Sequence, residues 1–120
     1  MDIVQREDTS AFTTIDGSQI REFLNPGNSS LHNQSLAEAT LPVGGATTEH
    51  YHPRAEEIYY ISEGEASIRI EGEDRAVNKG DAIAIPAGQK HKIWNTGTAP
   101  LIFICCCAPA YAHEDTVLTE

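Results

Sequence analysis

Positive charge is scarce in this chain of 120 residues: eight Lys and Arg stand against 18 Asp and Glu, a net charge of −10. Such a surface repels phosphate backbones and anionic lipid, which argues against nucleic-acid and membrane partners. No basic cluster offsets it, and only Lys90 and Lys92 lie near each other. Long apolar runs are missing too. No stretch approaches the length of a membrane span, and no charged start leads into an apolar signal core. Cysteine is confined to one run, Cys105-Cys106-Cys107. The number is odd, and neighbours on an extended chain do not suit a disulfide. Free thiols and a reducing, cytoplasmic location are therefore expected. Helical periodicity, internal repeats and low-complexity blocks are also absent.

What remains is an ordinary globular composition, 40% hydrophobic and 22% charged, in a chain of single-domain length. Short β-rich runs alternate with turn signals. Ile20 to Leu24, Leu36 to Leu41, Glu57 to Ile61, Ala66 to Ile70, Ala82 to Ile85, His91 to Asn95 and Leu101 to Cys107 read as strands. Between them stand Asn25-Pro26-Gly27-Asn28, Pro42 with Gly44-Gly45, Glu71-Gly72-Glu73-Asp74, Asn78-Lys79-Gly80-Asp81 and Pro86-Ala87-Gly88. This pattern predicts an all-β, antiparallel sandwich or barrel. Its parts are an N-terminal arm with edge strands over residues 1–34, a core over 35–109 and a polar tail over 110–120.

Two segments carry the chemistry. The first, from Gly44 through His50, His52 and Glu57 to Gly64, reads G-x5-H-x-H-x4-E-x6-G. The second, from Gly80 through Pro86, Gly88 and His91 to Asn95, reads G-x5-P-x-G-x2-H-x3-N. Together they resemble the two motifs of the cupin superfamily, with every fixed position filled. The resemblance spans roughly Ser35 to Pro109. It implies a small jelly-roll barrel, a double-stranded β-helix open at one mouth. It also implies His50, His52, Glu57 and His91 as ligands of one divalent transition-metal ion: iron, manganese, nickel, cobalt, copper or zinc.

The residues agree with that implication. Side chains two apart on a strand share a face, so His50 and His52 point together. Three neutral imidazoles and one carboxylate suit first-row divalent ions. Glu56 competes with Glu57, but only Glu57 leaves the six residues before Gly64 that the motif requires. His32 and His113 match nothing in the motif and read as surface residues. By parity Tyr59 and Ile61 face inward with Glu57, while Ile93 and Asn95 face inward with His91. Tyr59 is thus a candidate proton donor to a substrate, or a packed core residue. Cys105 and Cys107 share one face and Cys106 takes the other. A buried cysteine acts most often as a small hydrophobe, although a thiol near a divalent ion can serve as a ligand or oxidise.

Four protein ligands on a six-coordinate ion leave two positions for water, dioxygen or a chelating substrate. The functional expectation is a metal-dependent enzyme acting on a neutral or carboxylate-bearing small molecule, of dioxygenase, isomerase, cyclase or decarboxylase type. Arg69, Lys90 and Lys92 fall on outward parity, which counts against sugar-phosphate substrates. The alternative is a non-catalytic module that binds a metabolite or sugar. A homodimer is expected, with an exchanged N-terminal arm covering exposed sheet edges.

Overall fold

The computed structural model describes residues 1–120. It holds eleven strands: β1 (Phe12–Thr13), β2 (Gln19–Leu24), β3 (Ser35–Leu41), β4 (His50–Tyr51), β5 (Glu56–Glu63), β6 (Glu65–Ile70), β7 (Glu73–Asn78), β8 (Ala82–Ile85), β9 (His91–Asn95), β10 (Leu101–Ala108) and β11 (Val117–Leu118). Two single-turn 3-10 segments, Arg6–Asp8 and His113–Asp115, are the only helical pieces. No helix is long and apolar enough to cross a membrane. The strands form a six-stranded sheet in the order β1-β2-β3-β10-β5-β8 and a five-stranded sheet in the order β11-β4-β9-β6-β7. Every pairing is antiparallel.

The expected jelly-roll barrel is corrected by this topology. The two sheets face each other but do not close on one another: β1 and β8 end the first sheet, β11 and β7 the second. The reason is visible at the β7–β8 corner. There the backbone groups of Lys79, Gly80 and Asp81 bond to Gly64 and Ile61 instead of continuing a ladder from β7 to β8. At the opposite seam β1 and β11 are each two residues long, too short to bridge the sheets. The fold is a two-layer all-β sandwich with open edges.

Alternation sets which side chains meet between the layers. In β5 the inward set is Glu57, Tyr59 and Ile61, and in β10 it includes Leu101, Phe103 and Cys107. Tyr59, Ile61, Leu101 and Phe103 join Leu41, Ile68, Ile85 and Ile93 in one core, where each large apolar side chain contributes about 1.5–3 kcal/mol by leaving water. Asn95 ties the core's end together: its amide donates to the Leu41 and Ala99 carbonyls at 3.1 and 2.9 Å, and its carbonyl accepts the Gly97 N–H at 2.9 Å. Gly64, at φ 99°, lets the chain pass from β5 to β6 under the Pro100 carbonyl, which a side chain would meet at 3.1 Å.

Within the segment expected to hold an arm and edge strands, residues 12–24 form a hairpin at the edge of the six-stranded sheet that pairs with β3, and Arg6 folds back onto Glu38 of β3 at 2.8 Å. One turn expectation changes. Glu73 and Asp74, read as turn residues, open β7. The turn itself is Glu71-Gly72, with φ of 48° and 80°.

Candidate metal centre

The two layers bring the motif residues together at one end of the core. His50 in β4 and His91 in β9 are direct cross-strand partners in the five-stranded sheet. His52 follows β4 by one residue, and Glu57 reaches in from β5 of the facing sheet. All four are at most 6% exposed. The histidine ring centroids stand 4.3–5.5 Å apart, and one nitrogen from each ring lies within 4.8 Å of the other two. Glu56, the competing residue, is exposed.

Each imidazole is oriented from behind. His50 Nδ1 donates to the Thr48 carbonyl at 2.7 Å, His52 Nδ1 to the Asp115 carbonyl at 3.0 Å and His91 Nδ1 to the Gln89 carbonyl at 3.0 Å. A carbonyl only accepts, so the proton of each neutral ring sits on Nδ1 and the Nε2 lone pair faces the centre. Glu57 stands beside His52 and His91 but is not one of the three residues whose ligand atoms converge. Its Oε2 accepts the Cys107 thiol at 3.0 Å, while Oε1 lies 3.4 Å from His52 Nε2 and 3.5 Å from His91 Nε2. Glu57 Oε1 and His91 Nε2 are buried without a hydrogen-bond partner. Lone pairs aimed at one another in a dry site are costly unless a cation lies among them. The residues therefore fit a metal ion: the buried triad His50, His52 and His91 is suited to coordinate one divalent transition metal.

The same crowding perturbs protonation. Burial pushes Glu57 up, but His52 and His91 outweigh it and hold the carboxyl down at about 2. Burial and the neighbouring His91 lower His50, against the pull of the Thr48 carbonyl. In His52 burial acts downward, yet the adjacent Glu57 carboxylate leaves it raised. Burial, helped by the Glu57 charge, raises Tyr59, Cys105 and Cys107, so all three keep their protons at neutral pH.

A cavity opens from the triad between the sheets, lined among others by Asp16, Glu22, Tyr59, Cys105, Cys107 and Tyr111. Tyr59 is 2% exposed and packs between His91 and Phe103, with centroids at 5.9 and 4.7 Å. Cys105 and Cys107 face inward as parity implied, and Cys106 is on the other face beside Gln34. Arg69 and Lys92 flank Trp94 on the outer face of the five-stranded sheet, well away from the cavity. His32 and His113 are exposed.

Three contributors escape the motif reading. Asp16, in the β1–β2 turn, holds its Oδ2 3.8 Å from His50 Nε2. Asp115 supplies the His52 acceptor, and its carboxylate takes the N–H groups of Arg54 and Ala55 at 3.0 and 2.9 Å. The Tyr111 hydroxyl bridges Thr14 and His113 over the cavity mouth at 3.1 and 3.0 Å. The Asp16-Gly17 pair signals only a turn, and nothing local marks the tail residues.

The motif geometry is matched by kinship: the model of the cupin domain matches residues 37–107. The chain belongs to the cupin family. This cupin is 49% identical over 109 residues to an uncharacterized protein of Methanocaldococcus jannaschii, covering 91% of this chain and 87% of that one. It is 32% identical over 84 residues to the tetracenomycin polyketide synthase protein TcmJ of Streptomyces glaucescens, covering 70% of this chain and 56% of that one. Its fold is similar to the crystal structure of a predicted oxalate decarboxylase from Thermotoga maritima, with a TM-score of 0.79, 24% identity and coverage of 90% and 99%.

Proposed function

We propose that this cupin is a metal-dependent enzyme whose ion is held by His50, His52, His91 and Glu57, and whose substrate is a neutral or carboxylate-bearing small molecule that chelates through oxygen. One observation supports the reading: three buried imidazoles of fixed tautomer bring one nitrogen each within 4.8 Å of the others, with the unpartnered Glu57 Oε1 at 3.4 and 3.5 Å from His52 and His91 Nε2. The bound ion would supply Lewis acidity to a chelated substrate oxygen. Glu57, held on one oxygen by Cys107, offers the other to the ion. Tyr59 keeps its phenolic proton and is the candidate hydrogen-bond donor to a developing oxyanion. A role in polyketide synthesis, as the kinship with the tetracenomycin polyketide synthase protein suggests, and decarboxylation of a small acid both fall within this class. Residues 35–109 would carry the reaction, with the N-terminal segment and the tail shaping its mouth.

The test is elemental analysis of protein purified without a metal-affinity tag, repeated on Glu57→Gln and His91→Ala. One equivalent of a first-row metal is expected in the wild type, with His91→Ala losing most of it. A wild-type protein that takes up none of these metals refutes the reading. The second reading, a non-catalytic binding module, is favoured by the raised Tyr59, Cys105 and Cys107, which leave few ready proton carriers in the cavity. It predicts ligand binding without turnover under any added metal. We also propose a homodimer in a reducing, cytoplasmic setting. The outward side chains Leu36, Ile58 and Tyr60 are exposed on the six-stranded sheet, and light scattering at micromolar concentration should show twice the chain mass.

A further inference from the structure

The cavity beside the triad contains no Lys or Arg, yet two further carboxylates line it, Asp16 and Glu22. Neither is paired with a basic side chain: Arg6, Arg69, Arg75, Lys79 and Lys92 make their ion pairs elsewhere, with Glu7, Glu38, Asp74, Glu73, Glu63 and Glu120. Asp16 is also held firmly in place. Its Oδ1 accepts the Ser18 N–H at 3.0 Å and the Ser18 hydroxyl at 2.6 Å, while the Thr48 N–H donates to its backbone carbonyl at 2.7 Å. Its side chain is 13% exposed, and Oδ2 is left free to face His50 Nε2. Glu22 lies on the same inward face of β2, beyond Ser18 and Ile20.

Charge counting then decides what can enter. With neutral histidines, the two positive charges of the ion are matched by the carboxylates of Glu57 and Asp16. A ligand that brings two negative charges would leave the buried site with a net excess and no basic group to meet it. A neutral ligand that presents a hydroxyl finds in Asp16 Oδ2 an acceptor with nothing else to bind. We propose that Asp16, reinforced by Glu22, sets the substrate class of this cupin: neutral molecules offering two adjacent oxygens, at least one as a hydroxyl, are admitted and dicarboxylates are turned away. This deepens the proposed function and rests on its assignment of the ion's ligands.

The test uses cobalt(II)-loaded full-length protein under anaerobic conditions. Catechol serves as the neutral probe and oxalate as the dianion, each titrated and followed by the cobalt visible spectrum. The wild type is expected to bind catechol and to show no spectral response to oxalate at the same concentration. In Asp16→Asn the amide oxygen still accepts from Ser18. This variant should gain oxalate affinity by about tenfold or more and lose catechol affinity by a similar factor, while still binding one equivalent of cobalt, less tightly for the lost charge. Glu22→Gln should shift oxalate binding in the same direction by less. Oxalate binding as tightly as catechol in the wild type, or identical profiles in wild type and Asp16→Asn, would overturn the proposal while leaving the metal site standing. Loss of cobalt itself in Asp16→Asn would make Asp16 a ligand and equally overturn it. If wild-type protein takes up no cobalt, or His91→Ala takes it up unchanged, the underlying reading of the metal centre fails first.

Discussion

The Cys107 thiol decides which oxygen of Glu57 is free. It donates to Oε2 at 3.0 Å, so only Oε1 is left to face the imidazoles. In the proposed site, a carboxylate pinned in this way would offer one oxygen to the ion without losing further rotamer freedom. Cys107→Ala removes the donor and is expected to weaken metal binding about tenfold, within the range of about 10–100-fold for groups that orient ligands. Cys107→Ser, which keeps a donor, should restore most of it. Competition with a chromophoric chelator measures both. If the alanine and serine variants lose affinity equally, the thiol is only filling space. The same residue shows why a run of cysteines need not signal redox chemistry: burial and the Glu57 charge keep the thiol protonated, and the thiolate is the reactive form.

At the scale of elements, the short tail strand and the turn before it do what no motif residue does. β11 pairs with β4, and Asp115 caps the two backbone N–H groups that turn the chain from His52 toward Glu57. Asp115→Ala should therefore cost about 1–3 kcal/mol in urea unfolding of the metal-free protein, because a partly buried N–H at Ala55 loses its acceptor. The end of the tail is latched by Glu120, which pairs with Lys92 and accepts the Glu49 N–H. Those contacts, the Lys92 bond first, lower the Glu120 carboxyl below its ordinary value of 4.5. A depressed acid stabilises the fold above its unfolded value and loses that contribution as pH falls through the lower, folded one. Amide exchange at Thr119, whose N–H bonds the Glu49 carbonyl, should show less protection below pH 4.5, and Glu120→Gln should remove that step. The inward faces of β5 and β9 were legible in the sequence, since alternation alone puts Glu57, Tyr59 and Ile61 on one side and His91, Ile93 and Asn95 on another. β7 was not, because only Val77 of its six residues is buried and a polar edge strand carries no alternation to read. Asp16 and Asp115 stayed hidden for a different reason. Each acts across a long stretch of chain, at a position set by sheet register and not by any local pattern.

For the whole molecule, parity says which side chains face inward but not whether the last strands of two sheets find each other. The strand pattern therefore left sandwich and barrel open, and the jelly-roll barrel that the resemblance implied gives way to an open sandwich. The β7–β8 corner directs its backbone groups to Gly64 and Ile61, and the seam stays unpaired. An open sandwich with buried lone pairs at one end depends on its ion for part of its stability, because the folded chain gathers the ligands and the unfolded chain scatters them. With free metal at about 100 times its dissociation constant, this linkage adds about 2.7 kcal/mol. For a chain of this size, where 1 kcal/mol moves the midpoint by roughly 3–6 °C, stripping the metal should lower Tm by about 10 °C. The net charge of −10 acts in the same direction, since a cation relieves self-repulsion when it binds. Calorimetry of metal-loaded and chelator-treated protein measures the shift, and His91→Ala serves as the control that should unfold at one temperature with or without chelator. Equal shifts in the variant and the wild type would place the stabilising ion elsewhere on the acidic surface, whereas a shift confined to the wild type ties it to the four side chains that meet at the end of the core.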